Sequence, residues 1–191
     1  MQSEAFWSGV FANSQGLVVI TGPMFAGKSK TLLRALSSAT ATGCSTQVMK
    51  SSIDGKTHVS SREGGGRVRV ACTLIDKGQP LPSLHADVVL VDEVQFLEQP
   101  HVDALIAAAS ERLIILAGLH EDSRGESFGE LRRVLEQHQP MHVLRLTARC
   151  DACGAEALHS QRLVSESTQV LVDQPGMKRF GAACPDCWVP R

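Results

Sequence analysis

The sequence predicts an α/β fold, with a mostly parallel sheet covered by helices, followed by a small C-terminal lobe organised around a metal. Three observations carry this. Fully apolar runs alternate with helix-period segments over residues 16–146, the first apolar run leads into a GxxxxGKS loop, and two CxxC pairs stand near the end of the chain. Alternation of strand and helix is the mark of βαβ units, whose crossovers make successive strands parallel and lay helices over the sheet.

Gly16–Thr21 (GLVVIT) reads as a buried strand ending in a glycine loop. Lys28–Ala39 follows as a helix, with Leu32, Leu33 and Leu36 at helical spacing. Gln47–Lys50 is expected as the second strand, and the polar stretch 51–66, rich in glycine at its end, as a mobile loop or hairpin. Ala86–Val91 (ADVVLV) is a further apolar strand running into Asp92 and Glu93. His101–Ser110 is alanine-rich and helical, Arg112–Ala117 (RLIILA) a strand, and Gly118–Ser127 a loop. Phe128–Gln137 reads as an amphipathic helix and Met141–Leu146 as the last strand of the core. The expected division is a nucleotide-binding core over residues 1–147 and a metal lobe over 148–191.

With 191 residues, 43% hydrophobic and 20% charged, the chain can bury one sizeable core. The net charge of −1 gives no basic field for nucleic acid. No apolar run reaches the roughly 18–20 residues that span a bilayer, and Glu4 stands where a signal peptide would be basic. A cytoplasmic location with no membrane partner is expected.

Gly22-Pro23-Met24-Phe25-Ala26-Gly27-Lys28-Ser29 lies between a strand and a helix, the setting in which backbone N–H groups and a helix start cradle phosphate. Lys28 is expected to reach the β- and γ-phosphates of ATP, and Ser29 to offer its hydroxyl to Mg²⁺. Asp92, at the end of an apolar strand, is the expected second magnesium group. Glu93 is placed to accept a proton from an attacking hydroxyl; on its own it does not separate a kinase from an ATP hydrolase.

Cys150-Asp-Ala-Cys153 and Cys184-Pro-Asp-Cys187 supply four thiolates, a closed set that suits structural zinc. Cys44 and Cys72 are expected as small core residues, the histidines as surface or satisfied core residues, and Trp188 as packing over the metal lobe. Trp7 and Phe11 lie in a head segment that could dock on the core or on a neighbouring subunit.

These pieces, in this order, resemble the type II thymidine kinases. The matching segments are GPMFAGKS (Gly22–Ser29), DEVQF (Asp92–Phe96), AGLHEDSRGESFGEL (Ala117–Leu131) and the cysteine knuckles, with weaker support from Lys50-Ser-Ser-Ile-Asp54 and Ser61-Arg62-Glu63-Gly64. The resemblance implies a RecA-like core, a zinc lobe whose lasso loop closes over a nucleoside, a homotetramer, and transfer of the ATP γ-phosphate to a deoxynucleoside 5′-hydroxyl. It implies Glu93 as general base and Gln95 among the nucleotide-binding residues. Met24, Leu119, Phe128 and Val172 are implied in the nucleoside pocket, and Arg124 near the phosphates or ordering its loop.

Two departures from that family's pattern fall on the pocket. Ser123 stands where a large aromatic is usual, a change that removes stacking worth roughly 0.5–1.5 kcal/mol beyond its area and is expected to leave room for a bulkier base or water. The lasso glycine pair is replaced within Asp173-Gln-Pro-Gly176-Met-Lys-Arg-Phe180, with Phe180 where a tyrosine is usual. The phosphate machinery is intact. The leading expectation is therefore a kinase of thymidine or a related pyrimidine deoxynucleoside. The alternatives are a kinase of a different or modified nucleoside, and an ATP-binding regulatory module without catalysis.

Overall fold

The structure, a computed structural model, describes residues 4–63, 66–164 and 178–190. Helix α1 (Glu4–Phe11) leads into strand β1 (Gly16–Thr21), helix α2 (Lys28–Ala41) and strand β2 (Thr46–Ser51). A 3₁₀ turn (Ser52–Asp54) precedes a hairpin of β3 (His58–Glu63) and β4 (Gly66–Ala71), then β5 (Thr73–Ile75). Next come β6 (Val88–Asp92), a 3₁₀ turn (Val94–Phe96), α3 (Gln99–Ala108), β7 (Leu113–Gly118), α4 (Leu131–Gln137) and β8 (His142–Arg145). The C-terminal lobe holds β9 (Ala148–Arg149), β10 (Glu156–Ala157), β11 (His159–Arg162) and β12 (Phe180–Ala183).

Six strands form one sheet in the order β5-β2-β6-β7-β1-β8, and every pairing in it is parallel. Each central strand is apolar along its whole length because helices cover both faces, and its side chains divide by period two. Leu17, Val19, Val89, Val91, Ile114 and Leu116 face α3 and α4, whose Val102, Leu105, Leu131 and Val134 pack on them. Val18, Ile20, Val88, Leu90, Leu113 and Ile115 face the other way, onto Leu32, Ala35 and Ala39 of α2. Each fully buried aliphatic side chain contributes about 1.5–3 kcal/mol, so this two-faced core fixes the sheet and with it the strand ends that carry the site.

The head segment docks on its own core. Trp7 and Val10 are buried in the α2 layer, and Trp7 stacks on Phe11 with ring centres 5.8 Å apart. Within residues 51–66, expected as a loop or hairpin, Ser52–Asp54 form the 3₁₀ turn and His58–Glu63 form β3, which pairs with β4 from Gly66 onward. The helix expected from Phe128 starts only at Leu131. The reason is Gly129, whose φ of 63° is left-handed and whose position admits no side chain, since a Cβ there would lie 2.3 Å from the Gln95 carbonyl oxygen. Cys44 and Cys72 are half-buried at the margins rather than central in the core. No helix among the described residues is long and apolar enough to cross a membrane.

Candidate active site

In an open parallel sheet the carboxyl ends of the strands form the crevice where ligands bind. Here β1, β6 and β7 deliver Thr21, Asp92 and Gly118 to that edge. The cavity above them has a volume of about 520 Å³, ample for a nucleoside.

The loop after β1 is shaped by two glycines. Gly22 has φ 147°, and a Cβ there would come 2.2 Å from the Leu146 carbonyl oxygen; Gly27, at φ 86°, turns the chain into α2. Lys28 arches back over the loop, its Nζ donating to the carbonyls of Gly22 at 3.0 Å and Pro23 at 2.8 Å. Removal from water pulls its pKa down to about 8, although the carboxylates of Glu93 and Asp92 pull the other way. One residue on, the Ser29 hydroxyl donates to Oδ2 of Asp92 at 2.8 Å. Asp92 is buried, and burial, with the charge of Glu93 beside it, pushes its carboxyl up to about 7.

Glu93 has φ 56° and ψ 42°, a left-handed conformation that costs an ordinary side chain about 1–2 kcal/mol. The turn swings its carboxylate onto the cavity wall. Gln95 holds that carboxylate by donating from Nε2 to Oε2 at 2.5 Å, while its own Oε1 accepts from the Leu119 amide at 3.0 Å. Gly118 is required for this bridge, since a Cβ there would meet Gln95 Oε1 at 2.7 Å. Gln95 thus ties the acid-bearing turn after β6 to the loop after β7.

That loop carries Leu119 and the buried Ser123, both on the cavity wall. Its turn is shaped by Asp122, whose Oδ1 accepts from the amides of Arg124 at 2.8 Å and Glu126 at 3.1 Å. Burial would raise this carboxyl, but those amides and the Arg124 guanidinium outweigh it and hold it below its ordinary value. Arg124 itself is half-exposed, pairs with Asp122 and Glu126, and is not among the cavity-lining residues. Phe128 lines the cavity and meets Phe96 edge-on at 5.7 Å.

The far wall comes from the C-terminal lobe. Ser160 on β11 accepts a hydrogen bond from the Met24 amide at 3.0 Å, and Phe180 on β12 lies under the guanidinium of Arg162 at 5.8 Å. Met24, Lys28, Ser29, Glu93, Gln95, Leu119, Ser123, Phe128 and Phe180 therefore share one cavity with the phosphate loop, and Asp92 lies beneath it through Ser29. Val172 and the rest of the expected lasso before Lys178 lie outside the described residues. Sequence reasoning missed Ser160, Arg162 and Lys56, all on the cavity wall. No spacing marks them; only the return of the chain from the cysteine knuckles brings β11 back against the phosphate loop. It also missed a histidine constellation: His159 pairs with Glu121 at 3.0 Å, and His120 faces the same carboxylate at 3.8 Å. Burial, the larger influence, lowers His120 against the pull of Glu121.

Beyond the cavity, Sγ atoms of Cys150, Cys153, Cys184 and Cys187 all lie within 4.8 Å of one another, and those of Cys153 and Cys184 are 3.6 Å apart. A tetrahedron of thiolates about 2.3 Å from zinc has edges of about 3.8 Å, so the donor set fits such an ion. Backbone groups of Cys184 and Cys153 pull the Cys150 thiol down to about 6, whereas sulfur neighbours, Cys184 first, push Cys187 up to about 12.

The sequence profile of the Thymidine kinase family matches residues 15–188. The thymidine kinase of Pyrobaculum aerophilum is 36% identical over 180 residues, covering 88% of this chain and 95% of that protein. That of Deinococcus deserti is 37% identical over 163 residues, covering 78% and 80%. That of Mycoplasma capricolum is 29% identical over 194 residues, covering 93% and 91%.

Proposed function

The chain belongs to the thymidine kinase family, and on that premise we propose that it transfers the γ-phosphate of ATP to the 5′-hydroxyl of thymidine or a closely related pyrimidine deoxynucleoside. The observation that carries this reading is the cluster at the head of α2. The Ser29 hydroxyl and the Asp92 carboxylate meet at 2.8 Å beneath the phosphate loop, and Glu93 faces the same cavity from the next residue.

In this reading the loop amides of residues 22–29 and Lys28 hold the β- and γ-phosphates, and Ser29 and Asp92 hold Mg²⁺. The metal, when bound, neutralises charge building on the transferred group. Glu93, oriented by Gln95, takes the proton of the attacking hydroxyl. The nucleoside lies between the wall of Leu119, Ser123 and Phe128 and that of Met24 and Phe180, and Val172 is retained as a further proposed contact. In-line phosphoryl transfer needs little covalent help, so positioning and charge carry the rate. Arg124 orders the loop 119–127 through its pairs with Asp122 and Glu126.

Zinc at the four cysteines completes the C-terminal lobe, which we place at residues 148–191 against a core of 1–147. A homotetramer in the cytoplasm is part of the same proposal. Support for the assembly comes from β8, which ends the sheet among the described residues, with Val143 on it and Met141 just before it exposed. The test is transfer of labelled phosphate from MgATP to a panel of nucleosides. Thymidine or a pyrimidine deoxynucleoside is expected to accept it; labelling of purine nucleosides alone, or of none, would overturn the assignment.

A further inference from the structure

The cavity wall on the nucleoside side is a loop, and its placement needs an explanation. Contacts internal to residues 119–127 shape the turn without fixing where it sits: the Asp122 carboxylate with the amides of Arg124 and Glu126, and the bridge between Glu121 and Ser127. Placement comes from outside. Gln95 holds the start of the loop at the Leu119 amide, and Arg132 of α4 donates to the Gly125 carbonyl at 3.3 Å. The middle, where Ser123 meets the cavity, is held from the other lobe.

There the indole Nε1 of Trp188 donates to the Ser123 carbonyl at 3.1 Å. Three features fix the indole itself. Its amide donates to the Cys184 carbonyl at 3.0 Å, so the turn of the second cysteine knuckle sets its starting point. Its ring stacks on His159, with centres 4.1 Å apart and planes within 13°. His159 is in turn anchored on Glu121 of the same loop. The absence of a side chain at Gly125 lets the ring approach, because a Cβ there would lie 3.0 Å from Cη2.

We propose that Trp188 is a positioning residue for the nucleoside subsite, holding the Ser123 segment of the cavity wall from the metal-binding lobe. This deepens the nucleoside-kinase reading and rests on it. Trp188 touches neither the phosphate loop nor Glu93 in any contact described above, so its loss is read in nucleoside binding and leaves the ATP side alone. A neutral hydrogen bond contributes about 0.5–1.5 kcal/mol, which corresponds to roughly 2–13-fold in an equilibrium constant.

The experiment compares the wild type with Trp188→Phe, which keeps a ring to stack on His159 and removes the N–H. The expected result is a nucleoside KM raised several-fold, with ATP KM and kcat within about two-fold, in line with loss of one neutral hydrogen bond. Equal rises in both KM values, or no change in either while the wild type is active, would overturn the proposal. A second readout needs no turnover. The sequence has two tryptophans, so Trp7→Phe leaves Trp188 as the sole emitter. Its emission is expected to change on adding thymidine and to stay constant on adding ATP; the reverse pattern defeats the proposal. Wild-type protein that phosphorylates no nucleoside fails the parent reading instead, and is told apart by that first measurement.

Discussion

The Ser29 hydroxyl donates to Oδ2 of Asp92 across 2.8 Å, joining the first turn of α2 to the end of β6. Two residues 63 positions apart in sequence thus present a hydroxyl and a carboxylate to one point under the phosphate loop. Burying that carboxylate beside Glu93 is costly, and the cost shows as a pKa pushed up to about 7. A divalent cation would relieve it by compensating the charge.

That cost makes stability depend on pH. In the unfolded chain Asp92 loses its proton near 3.8, while the folded protein keeps it to about 7. The folded state therefore binds more protons between those values, and the stability fully present below the lower one is lost as pH rises through the upper. Metal-free protein is expected to melt at a falling temperature over this range, and Asp92→Asn to flatten the trend. The same variant should lower turnover by at least about 100-fold by weakening the proposed magnesium site. Melting curves across pH, with and without magnesium, check the first and steady-state kinetics of the variant the second; a wild-type curve that rises over the range would contradict the assignment.

Glu93→Gln keeps the size of the side chain and its reach to Gln95 but removes the carboxylate proposed as the base. Loss of general-base assistance costs about 100–10,000-fold in rate, while the phosphate loop is untouched. Turnover is expected to drop within that range with ATP affinity close to wild type, measured by steady-state kinetics and by calorimetry. Undiminished turnover would take Glu93 out of the mechanism.

The parts of this site that could be read in the sequence are those whose chemistry demands consecutive residues. A phosphate loop must be continuous, so Gly22–Ser29 declared itself, and the apolar run ending at Asp92 pointed to a buried strand with an acid at its tip. The paired cysteines were legible for the same reason. Ser160, Lys56 and Arg162 were not, because they reach the cavity through tertiary packing of β11 and the segment before β3, and no local period records that. Phe128 fits the helical period of the segment that follows, yet it precedes the helix, since Gly129 adopts a left-handed turn against Gln95. The histidines show no common spacing: His120 adjoins Glu121 in sequence, and only the docking of the two lobes brings His159 onto the same carboxylate.

Lys28 supplies a pH signature of nucleotide binding. Burial lowers it from 10.5 to about 8 in the free protein, so above that value a growing share is neutral. The triphosphate favours the charged amine and raises its pKa on binding. ATP binding near pH 8.5 is therefore expected to take up protons, and affinity to weaken as pH climbs further. Calorimetry in two buffers of different ionisation enthalpy measures the proton count; uptake of none at that pH would place another group on the phosphates.

Metal removal should act on one lobe before the other. Apart from Phe180 at the cavity, the buried apolar residues of the lobe form only the small cluster around Cys150, Ala157, Ala182, Ala183 and Cys184 among the described residues, whereas the sheet has two large layers of its own. Metal-binding free energy on the order of 10 kcal/mol in comparable small domains shows how far such a lobe can depend on its ion. Chelation is expected to redden and quench Trp188 emission in the Trp7→Phe background while most far-ultraviolet helix and sheet signal survives. Reloading should release more than one proton per zinc at neutral pH, because Cys187 and Cys153 both sit above the ordinary thiol value and must ionise to ligate. The affinity then falls as the solution is acidified, as protons compete for the same sulfurs. Zinc analysis showing about one ion per chain, with proton release followed by an indicator dye, checks the set. Emission indifferent to chelation would mean that the knuckle does not hold the indole in place.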